Sequence, residues 1–130
     1  VAIEINRQAC KYALENVKIN KVSNVVVESG DVKKFARKYA GFADRIIMPL
    51  PWDSYNFLDT ASKFAKGRCI IHYYAFGPIG RAFEDNEKKL RAYFKLHGSR
   101  MRVIDKRIVR SYSANEIEIV LDILVDKNKI

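Results

Sequence analysis

Three stretches of the 130-residue chain place polar or rigid residues where strand-like runs end: Glu4 after VAI, Gly30-Asp31 after VVVES, and Pro49-Leu50-Pro51-Trp52 after ADRIIM. In an open α/β sheet, ligands bind at the carboxyl ends of the strands, and a carboxylate there can accept both hydroxyls of a ribose. Glu4 fits that role, or it is an exposed acid at a strand end. Asp31 can accept from the exocyclic amine of an adenine, with Gly30 letting the backbone approach the ring. It is equally suited to cap a helix that begins at Val32. Pro49 and Pro51 leave Leu50 as the only backbone donor among the three. Proline removes a ladder hydrogen bond, so the strand ends there and the mouth of the sheet opens. Trp52 can stack on a base or pack at a helix start. His72 sits in mid-strand among apolar neighbours and reads as a satisfied buried histidine.

The elements that must position these residues are legible in order. Val1–Ile5 is a short strand, and Asn6 can cap a helix with Ala9, Cys10, Ala13, Leu14 and Val17 on one face. Val25–Val27 is a second strand. Val32–Tyr39 reads as a helix with Phe35 and Ala36 inward, closed by Gly41. Ile46–Leu50 is a third strand, and Asp53 or Ser54 caps a helix that carries Phe57, Leu58, Ala61, Phe64 and Ala65 and ends at Gly67. Arg68–Phe76 is a fourth strand, with Tyr73 and Tyr74 on opposite faces. Gly77–Gly80 is a loop and Glu84–His97 a helix. Met101–Tyr112 and Glu116–Val125 flank a short turn and form an antiparallel hairpin. The second of these alternates Ile117, Ile119, Leu121, Ile123 and Val125 with Glu116, Glu118 and Asp122. Alternating β and α elements predict a single α/β domain over residues 1–130. Its sheet is mixed and mostly parallel, with one reversed strand from the hairpin. That pattern is similar to the Rossmann-like architecture of class I S-adenosylmethionine-dependent methyltransferases.

Composition narrows the classes. No window approaches the length of a membrane span, so no membrane is expected. The opening VAIEINRQAC lacks a signal-peptide pattern, and a cytoplasmic protein is expected. Cys10 and Cys69 read as reduced, buried thiols. With two cysteines and two histidines far apart, no metal site is expected. The net charge of +9, dense between Lys88 and Arg110, favours a polyanionic partner, nucleic acid above all.

Taken in order, the segments IEINRQACKYALENVKINKV, GDV, ADRIIMPLPWDSYNFLDTA, CIIHYYAF and RIVRSYSANEIEIVLDILV resemble the archaeal and eukaryotic tRNA (guanine-37-N1)-methyltransferases and the related wybutosine-pathway aminocarboxypropyltransferases. The resemblance implies S-adenosylmethionine as cofactor, with contacts at Glu4, Ile5, Asp31, Val32, Pro49 and Leu50: Glu4 on the ribose, Asp31 and the backbone at Val32 facing the adenine. It implies tRNA as partner, with contacts at Pro51, Trp52, Arg107 and Arg110. Two departures accompany it. Pro49 stands where the family has the asparagine of Asn-Leu-Pro. The chain also opens at what would be the second strand of the fold, so the first strand, its glycine-rich turn and the general base are expected upstream of Val1. N1-methylation of guanine 37 is the expected reaction. Aminocarboxypropyl transfer to a modified guanine in tRNA and a non-catalytic basic RNA-binding module are the alternatives.

Overall fold

A computed structural model of the chain describes residues 1–127. Its elements are β1 (Ala2–Glu4), α1 (Arg7–Ile19), β2 (Val27–Ser29), a 3-10 turn (Val32–Phe35), β3 (Ala43–Met48), a second 3-10 turn (Ser54–Phe57), α2 (Leu58–Phe64), β4 (Ala65–Pro78), α3 (Ala82–Leu96), β5 (Arg100–Ser111) and β6 (Glu116–Asp126). They group into two compact units, Val1–Tyr39 and the residues from Ala40 on.

In the first unit β1 and β2 pair in parallel, with Ala2, Ile3 and Glu4 opposite Val27, Glu28 and Ser29. This register starts where the Ala2 N–H donates to the Val26 carbonyl at 2.8 Å, which moves β2 two residues beyond its expected start. Asn6 caps α1 as expected, its Oδ1 accepting from the N–H groups of Gln8 (2.9 Å) and Ala9 (3.2 Å). Cys10 is buried, but Leu14, expected inward, is exposed, because a two-stranded sheet is too narrow to cover the whole stripe. The helix expected over Val32–Tyr39 shrinks to one 3-10 turn. Its apolar face is only Phe35 and Ala36, and a short helix needs packing to persist. Lys38 and Tyr39 instead turn back to the Glu28 carboxylate, each at 2.5 Å.

The second unit is a four-stranded sheet in the order β3-β4-β6-β5. β3 runs parallel to β4, while β6 is antiparallel to both β4 and β5. The sheet is thus mixed, with β6 as its one reversed strand. Alternate residues of β4 and β6 (Cys69, Ile71, Tyr73, Ala75; Ile117, Ile119, Leu121, Ile123, Val125) form the core with Leu58 and Ala61 of α2 and Leu90 and Phe94 of α3. Removing an aliphatic side chain of this size from water contributes about 1.5–3 kcal/mol.

Three features of this unit bear on how its strands and helices meet. The helix before β4 ends at Phe64, not at Gly67, and β4 starts with the next residue. The Lys127 ammonium explains this abrupt change, since it satisfies the carbonyls of Ser62 and Ala65 at 2.8 Å each. Gly77 belongs to β4 rather than to a loop. A Cβ there would lie 2.7 Å from both Cα and Cβ of Ala82, so glycine is what lets the start of α3 touch the strand. Finally, β6 is buried on both faces, including Glu118 and Asp122, whose carboxylates pair with Arg110 and with His72 and Arg107 respectively.

Candidate functional site

The first unit brings Glu4, Ile5, Asp31 and Val32 to one rim. Because β1 and β2 are parallel and in register, their carboxyl ends coincide, and the Gly30 N–H donates to the Glu4 carbonyl at 2.8 Å. The Glu4 side chain lies half-buried at that rim, Oε1 accepting from the Asn6 N–H at 2.7 Å. Asp31 takes the capping role, Oδ1 accepting from the Lys33 N–H at 2.9 Å. Each carboxylate therefore spends one oxygen on local backbone and keeps the other available at the rim. Gly30 has φ +148°, and a Cβ would sit 3.2 Å from the Phe35 ring, so this turn requires glycine. Behind the rim, hydrogen bonds from Lys38 and Tyr39 hold the Glu28 carboxyl below its usual range.

In the second unit β3 stops at Met48, and Pro49–Trp52 follow at the carboxyl ends of β3 and β4. Ser54, expected as a helix cap, instead donates its hydroxyl backward to the carbonyls of Leu50 (2.9 Å) and Met48 (3.2 Å). Asp53 makes no side-chain cap either; its Oδ1 accepts from Asn56 Nδ2 at 2.9 Å. The Asp53 N–H closes the loop onto the Leu50 carbonyl at 3.0 Å. Two prolines and a buried serine thus fix the segment that presents Trp52, a residue 63% exposed.

Arg107 and Arg110 lie on β5 with carboxylate partners. Arg107 pairs with Asp105 and, at 3.1 Å, with Asp122, while Arg110 Nε is 2.5 Å from Glu118. Asp122 also accepts from His72 Nδ1 at 2.7 Å, and Arg45 reaches His72 Nε2 at 2.9 Å. A guanidinium can only donate, so Nε2 accepts and Nδ1 carries the proton. His72 is satisfied, as its surroundings suggested, and it links β3 to β6. Burial pushes the Asp122 carboxyl up, but the hydrogen bonds from His72 and Arg107 prevail and its pKa is lowered.

Tyr73 lies in the core, its phenol pushed up to about 12 by burial, and Tyr74 is half-buried on the other face. Both cysteines are free and buried, and burial pushes the Cys69 thiol up to about 11. Among the described residues no cluster of His, Cys, Asp and Glu could hold a metal ion, and no helix is long and apolar enough to cross a membrane.

One grouping escaped the sequence. Trp52, Phe76 and Tyr112 form an aromatic triad with ring centroids 4.4, 5.2 and 4.5 Å apart. Its members come from three separate segments, after β3, within β4 and after β5, and only the sheet order β3-β4-β6-β5 brings them together.

Comparison with known proteins gives a consistent result. The TRM5/TYW2 methyltransferase domain matches residues 1–104. The tRNA (guanine(37)-N(1))-methyltransferase Trm5b of Pyrococcus abyssi is 38% identical over 95% of this chain and 36% of its own length. Its crystal structure has a TM-score of 0.86, covering 96% of this chain and 37% of that one. The tRNA(Phe) (4-demethylwyosine(37)-C(7)) aminocarboxypropyltransferase of Methanocaldococcus jannaschii is 31% identical over 93% of this chain and 48% of its own length. The structure of M. jannaschii TYW2 in complex with AdoMet has a TM-score of 0.90 at 29% identity, over 96% of this chain and 56% of that one. A complex of aTrm5 with tRNALeu has a TM-score of 0.71 at 30% identity, over 95% of this chain and 34% of that one. The chain thus spans about a third to a half of the length of these curated relatives.

Proposed function

Because the chain belongs to the TRM5/TYW2 methyltransferase family, whose domain covers residues 1–104, we propose that it is the carboxyl-terminal portion of a catalytic domain that modifies guanine 37 of tRNA at the expense of S-adenosylmethionine. N1-methylation is the leading reaction, in the cytoplasm. The observation that carries this reading is the rim of the first unit, where Glu4 and Gly30-Asp31 meet at the carboxyl ends of two parallel strands. The residues fit the cofactor. Glu4 Oε2 and Asp31 Oδ2 are available once Oε1 and Oδ1 have taken the local N–H groups, so Glu4 can hold the ribose hydroxyls. Asp31, with the backbone at Val32 beside it, can accept from the adenine amine.

Bound S-adenosylmethionine supplies an electrophilic carbon for transfer. Ile5 adjoins Glu4 at the rim of the first unit, and the family resemblance adds Pro49 and Leu50 as cofactor contacts. Pro51 and Trp52 face the target nucleotide and Arg107 and Arg110 the RNA backbone. As the family resemblance implies, the base that removes the N1 proton is assigned upstream of Val1. Holding donor and acceptor in line converts a bimolecular transfer into a local one.

A second reading, aminocarboxypropyl transfer from the same cofactor, is favoured by one residue. Pro49 replaces the asparagine of Asn-Leu-Pro and has neither a side-chain hydrogen-bonding group nor an N–H. The test joins the upstream part of P. abyssi Trm5b to Val1, supplies S-adenosylmethionine with tRNA carrying either guanine or 4-demethylwyosine at position 37, and weighs the nucleoside there. A gain of one methyl group supports the leading reading, a gain of one aminocarboxypropyl group the second. Finding both nucleosides unchanged, with donor and tRNA bound, contradicts both.

A further inference from the structure

We propose that the Trp52–Phe76–Tyr112 triad is a stacking platform for an unpaired base of single-stranded RNA, with Arg110 holding an adjacent phosphate. This rests on the RNA reading above and gives it a specific surface.

Three observations support it. Trp52 packs on Phe76 (4.4 Å, 46°) and meets Tyr112 edge-on (5.2 Å, 82°), while Phe76 and Tyr112 tilt against each other (4.5 Å, 47°). These contacts fix the ring, yet Trp52 stays 63% and Tyr112 46% exposed. An indole held this firmly with so much surface in water is preorganised to stack, at little further cost in conformational freedom. Its loop is equally fixed, by Pro49, Pro51 and the two hydrogen bonds from the Ser54 hydroxyl.

The partner's chemistry follows from the register. Phe76 lies opposite Glu118, and Glu118 opposite Arg110. Tyr112, two residues on, donates its N–H to the Glu116 carbonyl at 2.9 Å, so Arg110 and Tyr112 point to the same face. Arg110 binds Glu118 through Nε, which leaves its two terminal nitrogens for a phosphate oxygen. An aromatic plane beside a guanidinium, on a chain of net charge +9, matches a base with its phosphate. A purely apolar partner would offer no acceptor to those two terminal nitrogens. Every base has a π-face, so the platform selects unpaired nucleotides rather than one sequence.

Trp52 is the only tryptophan, so its emission reports on the platform directly. The experiment titrates the 130-residue chain with a short oligoadenylate and with an abasic ribose-phosphate strand of equal length. Binding is followed by anisotropy of an end label and stacking by tryptophan emission. Oligoadenylate is expected to quench most of the emission, and the abasic strand to bind without doing so. Trp52→Leu is expected to weaken oligoadenylate binding about fivefold or more and leave the abasic strand unaffected, while Trp52→Tyr retains most of the affinity. Equal quenching by both strands, or unchanged affinity in Trp52→Leu, overturns the platform and leaves the RNA reading standing. Failure of both strands to bind overturns both. Emission already shifted to the blue and indifferent to RNA would mean that polypeptide covers the ring, and overturns the platform as well.

Discussion

Replacing Asp122 by asparagine keeps the shape of the side chain and removes its charge. Asp122 is 8% exposed and accepts from His72 Nδ1 at 2.7 Å and from an Arg107 terminal nitrogen at 3.1 Å. Hydrogen bonds to a charged group contribute about 1.5–3 kcal/mol and neutral ones about 0.5–1.5 kcal/mol. In Asp122→Asn the amide oxygen can still accept from His72, at the neutral value. The amide nitrogen then faces the Arg107 guanidinium, donor against donor, and that bond is lost. Arg107 is half-exposed and keeps Asp105, which limits the damage, so the expected loss is about 2 kcal/mol. Urea denaturation at neutral pH, followed by Trp52 emission from the same unit, measures it. The pH dependence adds a signature. The folded carboxyl lies below its ordinary value of 3.8, so its contribution is fully present above that value and fades as pH falls through the folded pKa. The gap between wild type and Asp122→Asn should therefore hold at about pH 5 and narrow by about pH 3. A gap below about 0.5 kcal/mol, or one that does not change over this range, would refute the reasoning.

Gly77→Ala should cost about 1–3 kcal/mol, because the new methyl meets the Ala82 backbone. The denaturation midpoint should fall at constant slope, and an unchanged midpoint would mean that α3 moves freely. Lys127→Met keeps the aliphatic stem but loses two hydrogen bonds, to the carbonyls of Ser62 in α2 and Ala65 at the start of β4. Stability should drop by about 1–3 kcal/mol, with faster amide exchange at the α2–β4 junction; exchange equal to wild type there would discount the cap.

The order of the elements was legible because β1 to β4 and β6 each contain an apolar run and local signals mark several of the element ends. Asn6 before α1 is one such signal. Ser113 is another, its hydroxyl accepting from the N–H groups of Asn115 and Glu116 at the β5–β6 turn. The rim residues Glu4 and Asp31 were legible for the same reason. What sequence did not disclose depends on partners far along the chain. The end of α2 is set by Lys127, more than sixty residues away. The alternation of β6 is the same whether Glu118 and Asp122 face water or face arginines, and only its place between β4 and β5 decides. Trp52 read equally well as a packing residue or a stacking one, because its neighbours Phe76 and Tyr112 arrive from other strands. The segment after Val32 carried a cap signal but too few apolar residues to keep a helix, and there local propensity misled.

Titration calorimetry of S-adenosylmethionine tests the central claim most directly. It compares the chimera that joins the upstream part of P. abyssi Trm5b to Val1 with its Glu4→Ala variant. Glu4 holding both ribose hydroxyls should make the variant weaker by roughly 1–3 kcal/mol, with its folding unchanged. Equal affinity in the two proteins would remove Glu4 from the cofactor site and contradict the assignment of that rim.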